Sequence, residues 1–333
     1  MKPRERLEML KEDRIQRIMQ KSGLKFPGPP PEGFVNAVRE CAEAWKKDRA
    51  ARHVPSGLIY HYCDAPALLN ILRSRTVWAT GTKYLNDTTE LFALSGSMRS
   101  HANNYRSTAA GEALSDMVDF YWISSDVSQT QTIGMDRFAC CFSTDGDLLS
   151  QWRSYGNNGR GYAIGFDPGD IAGLSEQKPA MSLRRITYGG GPEAQLIDDL
   201  FQRFVRAIND YTDILDNSGW ENVPARNWLS LQFGECLLEL AEEVKDSAFS
   251  EESEWRLYGS QQKIQFRVSQ DRIVPYQELD LSSQVEPRVL PIGEIIVGPR
   301  LDFDEAFASL ITYSSTLGYG TAMNIRKSKA PYR

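Results

Sequence analysis

The sequence predicts an α+β fold, and three observations point to it. Short runs of β-branched and aromatic residues (LIYHY, TVWAT, FACCF, GYAIGF, WRLYG, IGEIIVG) recur from Leu58 onward. Longer helical patterns stand between them without the regular strand–helix alternation of a parallel α/β sheet. The composition is that of a globular chain, with 333 residues, 41% hydrophobic and 25% charged, enough to bury a large core.

The elements follow in order. Pro3 to Lys21 reads as a helix, with Leu7, Leu10, Ile15, Ile18 and Met19 on an apolar stripe and Gly23 as its stop. The run FPGPPPEG, Phe26 to Gly33, reads as a stiff linker, because proline fixes φ and lacks the N–H that helix and sheet require. A second helix is expected from Phe34 to about Arg52, making residues 1–52 a helical N-terminal appendage. The main body, 58–333, opens with the strand LIYHY, then a helix through Leu72 with Asp64 as N-cap, then the strand TVWAT. Asp87 and Glu90 form a capping box before a helical stretch to about Tyr121 with a break in it. FACCFST and GYAIGFD read as strands joined by a short helix, LLSQWRSYG, and RRITYGG as a further strand. Residues 192–248 carry helical patterning interrupted near Asn217 to Pro224, a helical insertion in the sheet. Strands return at WRLYG, KIQFRV and QELDLS, then IGEIIVG; a helix follows from Asp302 to Leu317, and TAMNIRKS is a last strand.

Several function classes are disfavoured by composition. A formal net charge of −6 gives no global field attracting nucleic acid or anionic lipid, although Arg153, Arg160, Arg184 and Arg185 can make a local basic patch. Five irregularly spaced cysteines argue against a disulfide scaffold, and no CxxC pair with nearby histidines suggests zinc, so no metal is expected. The charged start KPRERLEMLKEDR is unlike a secretory signal, and no apolar run has the length of a membrane span. The expected setting is the cytoplasm, with reduced thiols and no membrane partner. The N-terminal helices are a candidate partner surface.

The residues that carry chemistry are few. His61, one of three histidines, lies in the first strand, where a ring nitrogen either bonds a ligand hydroxyl or is satisfied by a core carbonyl. In a strand Glu252 and Glu254 share one face, and paired carboxylates raise each other's pKa and serve acid–base or charge-stabilising roles; the alternative is a solvated acidic edge. Trp255 beside them implies partial burial and puts Glu254 at a cleft rim. Ser143, Thr144, Asp145 and Asp147 form a turn with capping chemistry, and Ser143 is also a ligand candidate. Trp152 and Tyr155 offer rings for a planar ligand or for packing the turn, with Tyr62 and Arg153 as further binding candidates. The glycines of WRSYGNNGRGY are not a Walker motif, since no Gly-Lys-Ser/Thr follows.

In their order, LIYHY, TVWAT with YLNDTTE, CFSTDGDLLSQWRSYG with GYAIGF, SEWRLY and the terminal IRKSKAPYR resemble a widespread bacterial domain family of unknown function, over about Leu58 to Arg333. More distantly, a first-strand histidine, a Ser/Thr-bearing strand and a later Glu-x-Glu strand resemble the ADP-ribosyltransferase fold, a split β-sheet that clamps NAD. That resemblance implies NAD as substrate and an unknown macromolecule, protein or nucleic acid, as acceptor. It implies His61 on a ribose hydroxyl and Ser143 in the place of the serine-bearing strand, which here reads Ser-Thr-Asp. It also implies Glu254 as the catalytic glutamate, Glu252 at the acceptor, and Tyr155, Trp152 or Tyr162 against nicotinamide. A defence or toxin effector is the role it suggests. Two other readings stay open: a metal-dependent nuclease or phosphoesterase using Asp145, Asp147, Glu252 and Glu254, and a ligand-binding or sensor module without turnover.

Overall fold

The computed structural model describes residues 28–50, 55–85, 90–126, 137–177, 181–189, 191–215, 222–259, 263–269, 271–283, 288–319 and 323–332. The expected helix at Pro3 to Lys21 and the Asp87 capping box lie outside them. Along the chain run α1 (Glu32–Ala50), β1 (Ile59–Cys63), α2 (Ala65–Ser74), β2 (Thr76–Gly81), α3 (Glu90–Tyr105), α4 (Ala109–Asp126), β3 (Phe138–Ser143), α5 (Leu149–Ser154), β4 (Tyr162–Phe166), α6 (Pro168–Gln177), β5 (Met181–Arg185), β6 (Thr187–Tyr188), α7 (Gly191–Ile208), α8 (Val223–Glu243), β7 (Val244–Lys245), β8 (Glu254–Gly259), β9 (Gln265–Ser269), β10 (Arg272–Asp280), β11 (Ile292–Val297), α9 (Phe303–Thr316) and β12 (Ile325–Lys327). The fold is α+β, as the sequence predicts. Among the described residues no helix is long and apolar enough to cross a membrane.

The chain forms two compact units, the first made of the described residues within Met1–Lys46, Ser97–Gln129 and Leu196–Glu239. It is helical. Phe233 takes the edges of Phe201 and Phe204 at ring separations of 5.4 and 5.0 Å, Phe34 meets Tyr211 at 5.5 Å, and the Trp228 Nε1–H donates to the Val35 carbonyl. The expected appendage helix and the expected insertion therefore share one core. Their apolar stripes bury each other, while Lys46 reaches Glu235 at 2.8 Å on the rim.

The second unit holds a ten-stranded mixed sheet in the order β12-β11-β4-β1-β3-β2-β10-β9, with β8 on β3 and β5 on β8. Among the described residues, β11–β12 is the one pair in it that runs parallel. One face packs on the main core, which includes Ile59, Leu68, Leu72, Phe138, Phe142, Phe166, Leu257 and Leu279. Asp64 caps α2 as expected, its Oδ1 accepting the Ala67 N–H at 2.8 Å.

β3 is the branch point. It pairs with β8 along its whole length, from Phe138 opposite Gly259 to Ser143 opposite Glu254. Its other edge meets β1 only at Tyr60–Ser143 and β2 only at Thr80–Ala139 and Gly81–Phe138. Both strands leave from opposite ends of the same edge, so the sheet forks over the middle of β3.

Two local expectations are corrected, and one helix is added. RRITYGG is not one strand: the chain switches partner at Ile186, whose N–H bonds the Glu254 carbonyl, so β5 pairs β8 and β6 pairs β7. EESEWRLY is not a strand throughout, because Ser247–Glu252 is a 3₁₀ turn and Ser253 adopts a left-handed φ of 44° that ends it. The helix α6 follows from Asp167, whose Oδ1 accepts two N–H groups, and from Pro168 in the first turn; the start signal was present in FDPGD. In addition, the hairpin β9–β10 runs on past the core and exposes Phe266, Val268 and Ile273 at 67, 77 and 70%.

Over β1, β4 and β11 the second face of the sheet is covered by the turn after β3, by α5 and by the C-terminal tail. Asp147 clasps them together: it accepts from Trp152 Nε1 at 2.8 Å, from the Lys329 N–H at 2.6 Å and from the Ser328 hydroxyl. Gly146 lies so close to the Tyr60 ring that a Cβ would sit 2.5 Å from it, so only glycine lets the turn close. Replacing Asp147 with Ala strands three donors, and we expect a loss of about 2 kcal/mol in chemical denaturation, with faster proteolysis of the tail.

Candidate functional site

All six residues of β8 are buried, although two of them are Glu254 and Arg256. Alternation sends Trp255 and Leu257 into the main core and puts Glu254, Arg256 and Tyr258 on the opposite face, opposite Ser143, Cys141 and Ala139 of β3. Charges stay buried only when they are paired. Glu254 accepts from Arg256 Nε at 2.8 Å and Nη2 at 3.2 Å, and Lys245 Nζ lies 3.3 Å away. Lys245 also holds Glu252 at 2.6 Å and caps the Phe249 ring at 4.8 Å. The Glu254 N–H donates to the Tyr188 hydroxyl at 2.8 Å.

The network continues beyond Glu254. Arg256 Nη1 and the Tyr258 hydroxyl both donate to the Glu242 carbonyl, at 2.7 and 2.9 Å. The Glu242 carboxylate takes Arg137 and the Thr82 hydroxyl, each at 2.9 Å. Glu243 bridges Arg49 and Arg184.

Residues 151–257 match the family model described as "Protein of unknown function (DUF2971)". The expectation of a domain family of unknown function is met over that span. No curated protein and no solved structure matches. The DUF2971 span runs from α5 to β8 and contains Arg184, Tyr188, Glu242, Glu243, Lys245, Glu252, Glu254 and Arg256. The ionic network is therefore concentrated in the part of the chain that the DUF2971 model describes.

The electrostatics follow from the pairing. Burial pushes the Glu254 pKa up, but the Arg256 charge and hydrogen bonds, Lys245 and the Cys141 thiol together hold it below the usual carboxylate value. The Glu254 pKa is thus not raised as a strand-face arrangement predicts, because the 3₁₀ turn delivers both carboxylates to one ammonium instead. Burial, and then the Glu254 charge, push the Cys141 thiol far up, so it stays protonated and donates to Glu254. Such a thiol is no nucleophile.

The predicted residues separate into groups. Ser143 and Glu254 are direct cross-strand neighbours, with Glu252 on the shared Lys245. Glu254 is 6% exposed, inside the sheet face rather than at a rim. His61 points the other way, toward Phe142 (rings 5.8 Å apart) and Cys140, with Nδ1 2.9 Å from the Cys141 carbonyl; burial lowers its pKa, so it is neutral. It does not join Glu254. Tyr62 and Trp152 are packing residues: the Tyr62 hydroxyl donates to the Asp145 carbonyl and accepts the Leu148 N–H, and its ring meets Trp152 edge-on at 4.9 Å. Arg153 and Tyr155 are exposed, and Arg153 lies over Tyr332 at 5.8 Å.

Ser143 and Asp145 form side-chain turns, accepting the N–H groups of Asp145 and Asp147, and do not cap a helix. The four carboxylates proposed for a metal divide between the Asp147 clasp and Lys245, and among the described residues no three His, Cys, Asp or Glu converge as ligands.

Lys245, Arg256, Cys141 and Tyr188 are absent from the sequence-based set. Arg256 was legible from its i+2 spacing to Glu254, and Cys141 from its place on the paired strand. Lys245 had no signal, since it reaches Glu254 through a turn.

Removing the Glu254 charge leaves Arg256 and Lys245 buried without their shared anion. Glu254→Gln should therefore destabilise by about 3 kcal/mol at pH 7, measured by denaturant unfolding. Because the folded-state pKa lies below its unfolded value of about 4.5, the contribution is complete above that value and is lost as pH falls through the folded one. The Gln variant should then show a shallower loss of stability than the parent on acidification below that pH.

Proposed function

We propose that the chain is an NAD-cleaving, ADP-ribosyltransferase-like enzyme with Glu254 as its reactive carboxylate. The observation that carries this reading is the ionised Glu254 held beside Ser143 at the branch strand of a forked sheet. In such a reaction the bond between ribose C1′ and the nicotinamide nitrogen breaks, nicotinamide leaves neutral, and an acceptor nucleophile or water bonds to C1′. A fixed anion stabilises the oxocarbenium character that develops between the two events. Glu252 sits on the exposed turn Ser247–Glu252, the side from which an acceptor would approach. Of the residue set that NAD would require, Ser143, Glu252 and Glu254 fit. His61 does not, since it faces the core, and the hydroxyl contact expected of it must come from another group. The acceptor is a protein or nucleic acid, and a defence or toxin effector is the role this chemistry suits.

A second reading is a ligand-binding module without turnover. It is favoured by the internal partners of Glu254, whose carboxylate already meets Arg256, Lys245 and Cys141. Nicotinamide release from NAD by the full chain separates the two. The enzyme reading expects release that falls by about a hundredfold or more in Glu254→Gln, in samples shown to be folded, because an electrostatic stabiliser of this kind contributes several kcal/mol. His61→Ala should stay within a few-fold per folded molecule. Undiminished release in Glu254→Gln, or none in the parent, refutes the enzyme reading.

A further inference from the structure

Beyond the fork, β2, β10 and β9 place Trp78, Thr80, Tyr276, Gln265 and Arg267 on one face, by the register Thr80–Tyr276–Gln265 and Val274–Arg267. This group is polar and aromatic, and Glu254 takes no part in it. The Arg267 side chain lies over the Trp78 ring at 5.6 Å, and its Nη2 donates to the Thr80 hydroxyl at 3.0 Å. Trp78 in turn meets Tyr276 at a ring separation of 4.5 Å, and the Tyr276 hydroxyl donates to Gln265.

One feature distinguishes this cluster from the ionic network, and a second bears on what it can bind. Among the described residues no carboxylate lies within ion-pair distance of Arg267, whereas Arg49, Arg184 and Arg256 each hold a glutamate. Arg267 Nε and Trp78 Nε1 are both buried without a hydrogen-bond partner. Burial, the main influence on Arg267, depresses its pKa, and its charge bears on His61 and Cys140 at the fork. Buried N–H donors and desolvated guanidinium groups nearly always have acceptors. Two unmet donors, one on a guanidinium and one on the indole it lies over at 5.6 Å, call for an anion, and the Trp78–Tyr276 pair supplies an aromatic wall next to it.

We propose that Arg267, Trp78, Thr80 and Tyr276 form a binding site for a small ligand that carries an oxyanion, phosphate or carboxylate, beside a flat ring. The oxyanion takes the free N–H groups of Arg267 and the Trp78 Nε1–H, and the ring packs on Trp78 and Tyr276. The site stands independently of the Glu254 reading and can be occupied in a protein that cleaves nothing.

Calorimetric titration of the full chain with AMP, benzoate, adenosine and inorganic phosphate tests it. AMP or benzoate should bind saturably, and adenosine, which has the ring but no anion, should not. Binding of AMP alone assigns a phosphate ligand, and binding of benzoate alone a carboxylate. Arg267→Gln should weaken that binding by about tenfold or more, the loss expected for a charge-assisted pair. Trp78→Phe should weaken it several-fold. If the Gln variant melts early, Arg267→Lys, which keeps the charge but loses the planar fork, carries the same test with a smaller loss. No saturable heat from either anion, or affinity unchanged in the arginine and tryptophan variants, overturns the site.

Discussion

Burying ionised side chains in a sheet demands a partner for each, and in this protein that demand organises the second unit. Glu254 and Arg256 occupy a strand whose six residues are all buried, and they neutralise each other within it. The nearby segments arrange themselves to complete the pairing: the end of α8 brings Glu242 and Glu243, β7 brings Lys245, β5 brings Arg184 and β6 brings the Tyr188 hydroxyl. A hydrophobic substitute could fill the same volume at little cost in stability, so the charges specify which segments meet more than they add stability.

The forked sheet gives this network its place. β8 uses one edge of β3 entirely, and β1 and β2 divide the other, so the two faces near the fork are unlike. One is the apolar core with His61 at its margin. The other carries Glu254, Ser143 and Cys141, closed over β1, β4 and β11 by the turn, the tail and the Asp147 clasp. Glu254 is thereby separated by the thickness of the sheet from His61, the only histidine in a strand among the described residues. Acid–base catalysis by a His61–Glu254 pair has no geometry here, and the thiol of Cys141 serves as a donor to Glu254.

Much of the fold was legible in local pattern. The strands at LIYHY, TVWAT, FACCF, GYAIGF and IGEIIV, the Asp64 cap, the break between α3 and α4 and the paired helices of residues 192–248 all follow from short-range chemistry. The departures have local causes that composition hides. Ser253 takes a left-handed conformation no strand pattern announces, and Ile186 marks a change of partner inside what looked like one strand. The site was half legible. Glu254, Glu252 and Ser143 were visible as residues, whereas Lys245 and Tyr188 became neighbours only through pairing.

The sequence by itself determined the elements, their polarity and the presence of carboxylates beside a tryptophan in a β-run, because alternation and capping are set within a few residues. Tertiary structure alone decided which carboxylate is buried against two cations, which face His61 occupies and that Arg267 meets no carboxylate among the described residues. Those properties depend on burial and on partners tens to hundreds of residues away, such as Arg49 on Glu243 or Asp147 on Ser328. A one-residue parity along β1 sends His61 to the core and Tyr60 to the face of Ser143, and the pairing of β1 with β4 and β3 fixes that parity.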